Sequence, residues 1–113
     1  MVGGTAQPSA ARSGSFDDLL ATAGRPVLVD FYADWCGPCH ALAPTVQQIA
    51  RDYAGRVQVV KVDIDAKPHL AARYGIQSIP TLMLFVNGAP AWRAAGVQPY
   101  GAIAAQLDGV AAA

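Results

Sequence analysis

Val27-Leu28-Val29-Asp30-Phe31-Tyr32-Ala33-Asp34-Trp35-Cys36-Gly37-Pro38-Cys39 is the stretch on which the reading of this chain turns. Its first six residues are almost wholly apolar and β-favouring without clean alternation, the pattern of a central strand covered on both faces. Beyond it, Leu42, Val46, Ile49 and Tyr53 recur at helical spacing and Gly55 supplies a stop. The spacing predicts a long helix from Cys36 to Tyr53, kinked at Pro44, followed by a second strand from Val57 to about Asp63. Strand, helix and strand make a βαβ unit, whose strands are expected to be parallel neighbours joined by a right-handed crossover.

Outward from that unit the elements continue in both directions. Ser15 reads as the N-cap of a short helix ending at about Ala23, with Asp17 and Asp18 in its first turn and Gly24 as its stop. On the other side, Pro68 opens a short helix through Tyr74, and Thr81 to Val86 resumes as a strand. Asn87-Gly88 is the strongest short hairpin signal a sequence offers, so Ala91 to Ala95 is expected to return antiparallel. Tyr100, Ile103, Leu107 and Val110 form one stripe behind Pro99, a last amphipathic helix. The sum is an α/β domain with a central mixed sheet of about four to five strands and helices on both faces. Residues 1–14, with no continuous apolar run, read as a flexible leader rather than a secretory signal, and 15–113 as the domain.

Composition narrows the functions. The 113 residues make one domain, and 53% hydrophobic with 14% charged residues argues for a folded core. Eight basic residues balance eight acidic ones, all aspartate, with no basic run, so nucleic acid is a poor partner. No apolar run approaches the ~20 residues of a membrane helix. A monomer without membrane or nucleic-acid partners is expected.

Two cysteines are too few for a disulfide scaffold, and their placement as Cys36-Gly37-Pro38-Cys39 is a pattern of chemistry. At i and i+3 in the first turn of a helix their Cβ atoms are ~5–6 Å apart, near enough for a reversible disulfide. Pro38 is tolerated where first-turn N–H groups have no intrahelical acceptor, and Gly37 lets another backbone approach the Cys36 sulfur. The helix N-terminus stabilises a thiolate, which makes Cys36 the candidate nucleophile. Cys39, a turn deeper and expected to be less exposed, suits the resolving thiol. Two blander readings stand beside this one: half a zinc site, for which only His40 and His69 offer further nitrogen ligands, at no recognised spacing, and inert core cysteines.

Asp30 is the anomaly in its strand. A buried carboxylate must be paired, hydrated or protonated, and burial raises its pKa toward the range useful for proton transfer. Lys61 interrupts the neighbouring strand in the same way. Either Asp30 is a buried acid–base group serving Cys39, or the two residues form an ordinary ion pair or an edge position facing water.

The quoted stretch, with Lys61-Val62-Asp63-Ile64-Asp65, Tyr74-Gly75-Ile76, Ser78-Ile79-Pro80-Thr81-Leu82 and Asn87-Gly88 in this order and spacing, closely resembles the thioredoxin family from about Ser15 to Val110. The resemblance implies the thioredoxin fold and an enzyme, a thiol–disulfide oxidoreductase reducing protein disulfides. In it Cys36 attacks, Cys39 resolves, and Asp30, through water and influenced by Lys61, takes the Cys39 proton. It also implies a cis Ile79–Pro80 bond with Pro80 facing the cysteines, and a substrate peptide extended in a groove bordered by Trp35, Gly37, Pro38, Ile79 and Gly96. No cofactor or metal is implied in the chain itself. Electrons would come from NADPH through a separate flavoprotein, a thioredoxin reductase, in the cytoplasm. A disulfide oxidase or isomerase, or a redox-independent binding module using the same groove, are the alternatives. Tyr32 stands where many members carry a second tryptophan, and Ala94-Ala95 where a basic or branched pair is frequent. His40 follows the motif where Lys or Arg is common, and reads as a solvated helix residue outside the catalytic set.

Overall fold

The computed structural model describes residues 9–10 and 16–111. Five strands form one sheet in the order β1-β3-β2-β4-β5, with β1 Ser9–Ala10, β2 Val27–Tyr32, β3 Gln58–Asp63, β4 Thr81–Val86 and β5 Ala89–Ala95. Helix α1 spans Phe16–Thr22, α2 Gly37–Asp52, α3 Pro68–Arg73 and α4 Tyr100–Asp108. Strands β1, β3 and β2 run parallel, and β4 pairs antiparallel with both β2 and β5, so the sheet is mixed as expected. Ser9 and Ala10 fall inside the stretch read as a leader and pair with Val60 and Lys61. The rest of that leader, and the expected N-cap Ser15, lie outside the described residues.

Strand geometry sorts the core into two layers, because successive side chains point to opposite faces. Val27, Val29 and Phe31 of β2, with Val60 and Val62 of β3 and Met83 and Phe85 of β4, pack with Phe16 and Leu20 of α1 and Leu70 of α3. The alternate residues Leu28, Val59, Leu82 and Leu84 pack with Leu42, Val46 and Ile49 of α2 and Ile103 and Leu107 of α4. With both faces covered, β2 is buried throughout except at Tyr32. The same parity puts Asp30, two residues after Leu28, and Lys61, two after Val59, on the α2 face, and the parallel register sets them side by side.

Turn chemistry closes the elements. Asn87 and Gly88 both have positive φ, 53° and 81°, the conformation a two-residue hairpin demands. Three expectations shift, the first being that β5 begins at Ala89, directly after the turn, and not at Ala91. Helix α4 ends at Asp108, so Val110 is left 37% exposed rather than completing the apolar stripe. Cys36 is the N-cap of α2 and not its first residue.

Helix α3 is tied down from across the fold. Arg93 on β5 donates from Nη1 to the Tyr74 carbonyl at 2.6 Å and from Nη2 to the Gly75 carbonyl at 2.8 Å. These carbonyls lie just past the helix end, where backbone acceptors lack intrahelical partners and a cation complements the dipole. Arg93→Ala is expected to lower stability by about 1 kcal/mol, the low end for charged hydrogen bonds because the pair is exposed. Urea unfolding checks this: the midpoint should fall with an unchanged m-value, and Arg93→Lys should recover only part of the loss.

Candidate active site

Cys36 and Cys39 stand at the point where β2 hands over to α2. The chain leaves β2 at Tyr32 and turns through Ala33, Asp34 and Trp35, and the Cys36 N–H donates to the Ala33 carbonyl at 3.2 Å. Cys36 is in extended conformation as N-cap, and its Sγ accepts the Cys39 N–H at 3.2 Å. Pro38 fits the first turn because the N–H it lacks would have no intrahelical acceptor. The two cysteines are joined as a disulfide with Cα atoms 5.2 Å apart.

The expected difference in depth between the two cysteines is not there. Cys36 is 4% and Cys39 6% exposed, because Cys36 is packed with Ala33 and Ile79 and not left at an open helix end. What separates the two is their surroundings. Cys36 Sγ lies 3.7 Å from the carbonyl oxygen of Ile79, on the far side of the site, whereas Cys39 lines a cavity beneath it. The Ile79–Pro80 peptide bond is cis.

That cavity, of about 50 Å³, is lined by Asp30, Tyr32, Ala33, Asp34, Cys39, His40, Ala43 and Lys61. It is polar and has room for water. Asp30 is 2% exposed, and its Oδ1 is buried with no hydrogen-bond partner. Burial pushes the Asp30 carboxyl up to about 6, against the opposing pull of Lys61. Lys61 makes no ion pair with it; its Nζ sits 4.3 Å from the centroid of the Tyr32 ring. Asp30 and Lys61 therefore meet through the cavity and not as a closed pair, the alternative left open above. Burial, then the charges of Asp63, Asp34 and Asp30, raise the Tyr32 phenol above its usual range.

Around the cysteines lie Trp35, 69% exposed, with Gly37 and Pro38 on the surface and Ile79 half-buried. The Trp35 indole N–H donates to Asp65 Oδ2 at 2.8 Å, which holds the ring toward the loop after β3. Asp65 is in turn positioned by its own N–H, which donates to Asp63 Oδ1 at 2.9 Å. Neither aspartate was singled out for this role from sequence, since a contact across 30 residues leaves no local signal. Gly96 donates its N–H to the Pro80 carbonyl at 2.8 Å. Its φ of +90°, not a crowded Cβ position, is what calls for glycine, since a Cβ there would meet open space. Among the described residues no group of three or more His, Cys, Asp or Glu side chains is placed to hold a metal ion, and no helix is long and apolar enough to cross a membrane.

The thioredoxin family model matches residues 7–109. The chain belongs to the thioredoxin family. Thioredoxin 1 of Chlorobaculum tepidum is 54% identical over 86 residues, covering 76% of this chain and 85% of that one. Thioredoxin 1 of Synechococcus elongatus is 44% identical over 100 residues, covering 88% and 94%. Among solved structures, a mutant thioredoxin from Halobacterium salinarum superimposes with a TM-score of 0.85 at 32% identity, covering 100% of this chain and 97% of its own. Like other thioredoxins, this chain is a thiol–disulfide oxidoreductase whose redox centre is the Cys36–Cys39 pair. Thioredoxins bind no cofactor themselves, and the family works with thioredoxin reductase and disulfide substrates.

Proposed function

We propose that this thioredoxin is a general protein-disulfide reductase in which Cys36 is the nucleophile, Cys39 the resolving thiol and Asp30 the proton acceptor. The observation that carries this assignment is the asymmetry of the two sulfurs. Cys36 Sγ is at the helix N-cap with a backbone N–H donor and the Ile79 carbonyl beside it, while Cys39 lines the cavity that holds a buried, unpartnered carboxylate. A thiolate at Cys36 is stabilised by the N–H and the helix dipole. Cys39 needs a base, and Asp30 is the buried carboxylate lining the same cavity, which has room for a bridging water. Lys61 lowers the carboxyl against burial and so sets where it titrates.

The substrate would lie extended across Trp35, Gly37, Pro38, Ile79, Pro80 and Gly96, with its main chain addressing Ile79. Electrons then come from NADPH through a separate flavoprotein reductase, and the protein works as a monomer in the cytoplasm. The reduction potential of the Cys36/Cys39 couple tests the reading. Equilibration in graded dithiol buffers should give a value below the cytosolic glutathione poise of about −220 to −260 mV. A value well above it assigns the chain to oxidases or isomerases, and a pair that never closes in solution leaves only a binding module.

A further inference from the structure

His40 lines the same cavity and takes no part in the mechanism above. It follows Cys39 on α2 and is exposed, yet its ring is not a free surface group. Nε2 lies 2.6 Å from the Asp34 carbonyl oxygen, so this nitrogen donates, and the ring is held in place on the cavity wall that His40 helps to form. Pinning Nε2–H fixes the tautomer and leaves Nδ1 to exchange protons.

The other titratable groups facing this cavity are less suited to carrying a proton outward. Asp30 on β2 is enclosed, and Tyr32 on the same strand has its phenol raised. Lys61 on β3 is a cation held over the Tyr32 ring with no lone pair to offer. Asp34, in the loop after β2, is exposed and carries a second carboxylate, and its backbone carbonyl orients His40. Cys39 on α2 is the proton's source. Of the exposed lining residues, only His40 carries an imidazole, which can accept a proton at one ring nitrogen while the other holds its hydrogen bond.

We propose that His40 is the relay that carries the Cys39 proton from the buried Asp30 cavity to solvent during resolution of the mixed disulfide. The inference rests on the reading of Asp30 as proton acceptor. In that step the Cys39 thiol gives its proton to Asp30 across cavity water, and its electron pair forms the Cys36–Cys39 bond. The bond between Cys36 and the substrate sulfur breaks, its electron pair leaving on that sulfur. The dithiol is oxidised by two electrons and the substrate disulfide reduced by two. The proton on Asp30 passes to His40 Nδ1 and out to water, from which the leaving thiolate is protonated. Asp30 is then ionised for the next cycle.

The test follows both half-reactions in a single turnover with a peptide disulfide that has an alkyl leaving thiol. It compares wild type with His40→Gln, which keeps an N–H donor for the Asp34 carbonyl but relays no proton, and with His40→Ala and Asp30→Asn. In both His40 variants attack by Cys36 should stay within about twofold, while resolution slows about tenfold, less than the ~10²–10⁴ of a direct general base. Added imidazole should restore resolution in His40→Ala. Wild-type resolution in His40→Gln overturns the relay, because the hydrogen bond to Asp34 is then all that His40 supplies, and so does a failure of imidazole to restore the rate. Resolution slowed in Asp30→Asn but not in His40→Gln overturns the relay and leaves the role of Asp30 standing. Resolution unchanged in Asp30→Asn overturns both.

Discussion

A Cys36→Ser protein is expected to lose disulfide-reducing turnover by on the order of 10³-fold or more, well within the acceleration enzymes supply. The reason is positional. Cys36 Sγ is the sulfur at the helix N-cap, beside the Ile79 carbonyl along which the proposed substrate groove runs, whereas Cys39 lines the Asp30 cavity. A serine hydroxyl at position 36 is too weakly acidic to attack, and the remaining thiol of Cys39 lacks the N-cap position that stabilises a thiolate. Cys39→Ser should behave differently: attack by Cys36 survives, resolution does not, and substrates accumulate as stoichiometric mixed disulfides visible by mass spectrometry without reductant. Trapping by Cys36→Ser in place of Cys39→Ser would reverse the two roles. Full function in both variants would make the cysteines incidental and the groove a docking surface.

How much of this was legible beforehand follows from which signals are local. The strand from Val27 to Tyr32 and the stripe Leu42, Val46, Ile49 announce themselves by composition and period, and Asn87-Gly88 by turn chemistry, so β2 to β4 and the four helices lie close to where the sequence put them, while β1 falls in the stretch read as a leader. Asp30 was conspicuous because one acid in an apolar strand has few ways to be tolerated. Which face it took was not legible until register paired it with Lys61 and parity aligned it with Leu28 toward α2. The contacts of Trp35 with Asp65 and of Arg93 with the end of α3 depend on loops meeting across the fold, which no window of sequence encodes. The depth expected to distinguish the cysteines failed for a similar reason. Helix position alone would expose Cys36, but Ile79 comes from across the fold to pack with it and with Ala33 of its own loop.

The second large effect concerns stability, and it runs against the ordinary acid-labile behaviour of proteins. In the oxidised protein the Asp30 carboxyl is raised from 3.8 to about 6, so between those values the folded state binds a proton that the unfolded state has released. Stability contributed by the protonated group is fully present below 3.8, declines as pH rises through 6, and is absent above it. At about 1.36 kcal/mol per pKa unit, ionising Asp30 in place costs about 3 kcal/mol at neutral pH. Asp30→Asn carries an uncharged group of nearly the same shape in the same cavity and escapes that term. Measured against wild type by urea unfolding of the oxidised proteins, its advantage should grow by up to about 3 kcal/mol between pH 3.5 and pH 8. The paired comparison cancels the other carboxylates, whose titration both proteins share. The same substitution removes the acceptor for the Cys39 proton, so the more stable protein should be the slower reductase, with resolution retarded and attack by Cys36 little changed. A stability difference independent of pH would mean that Asp30 is solvated and ionised like a surface carboxylate. The cavity beside Cys39 would then hold no base poised near neutrality, and the chemistry of resolution would have to be sought elsewhere.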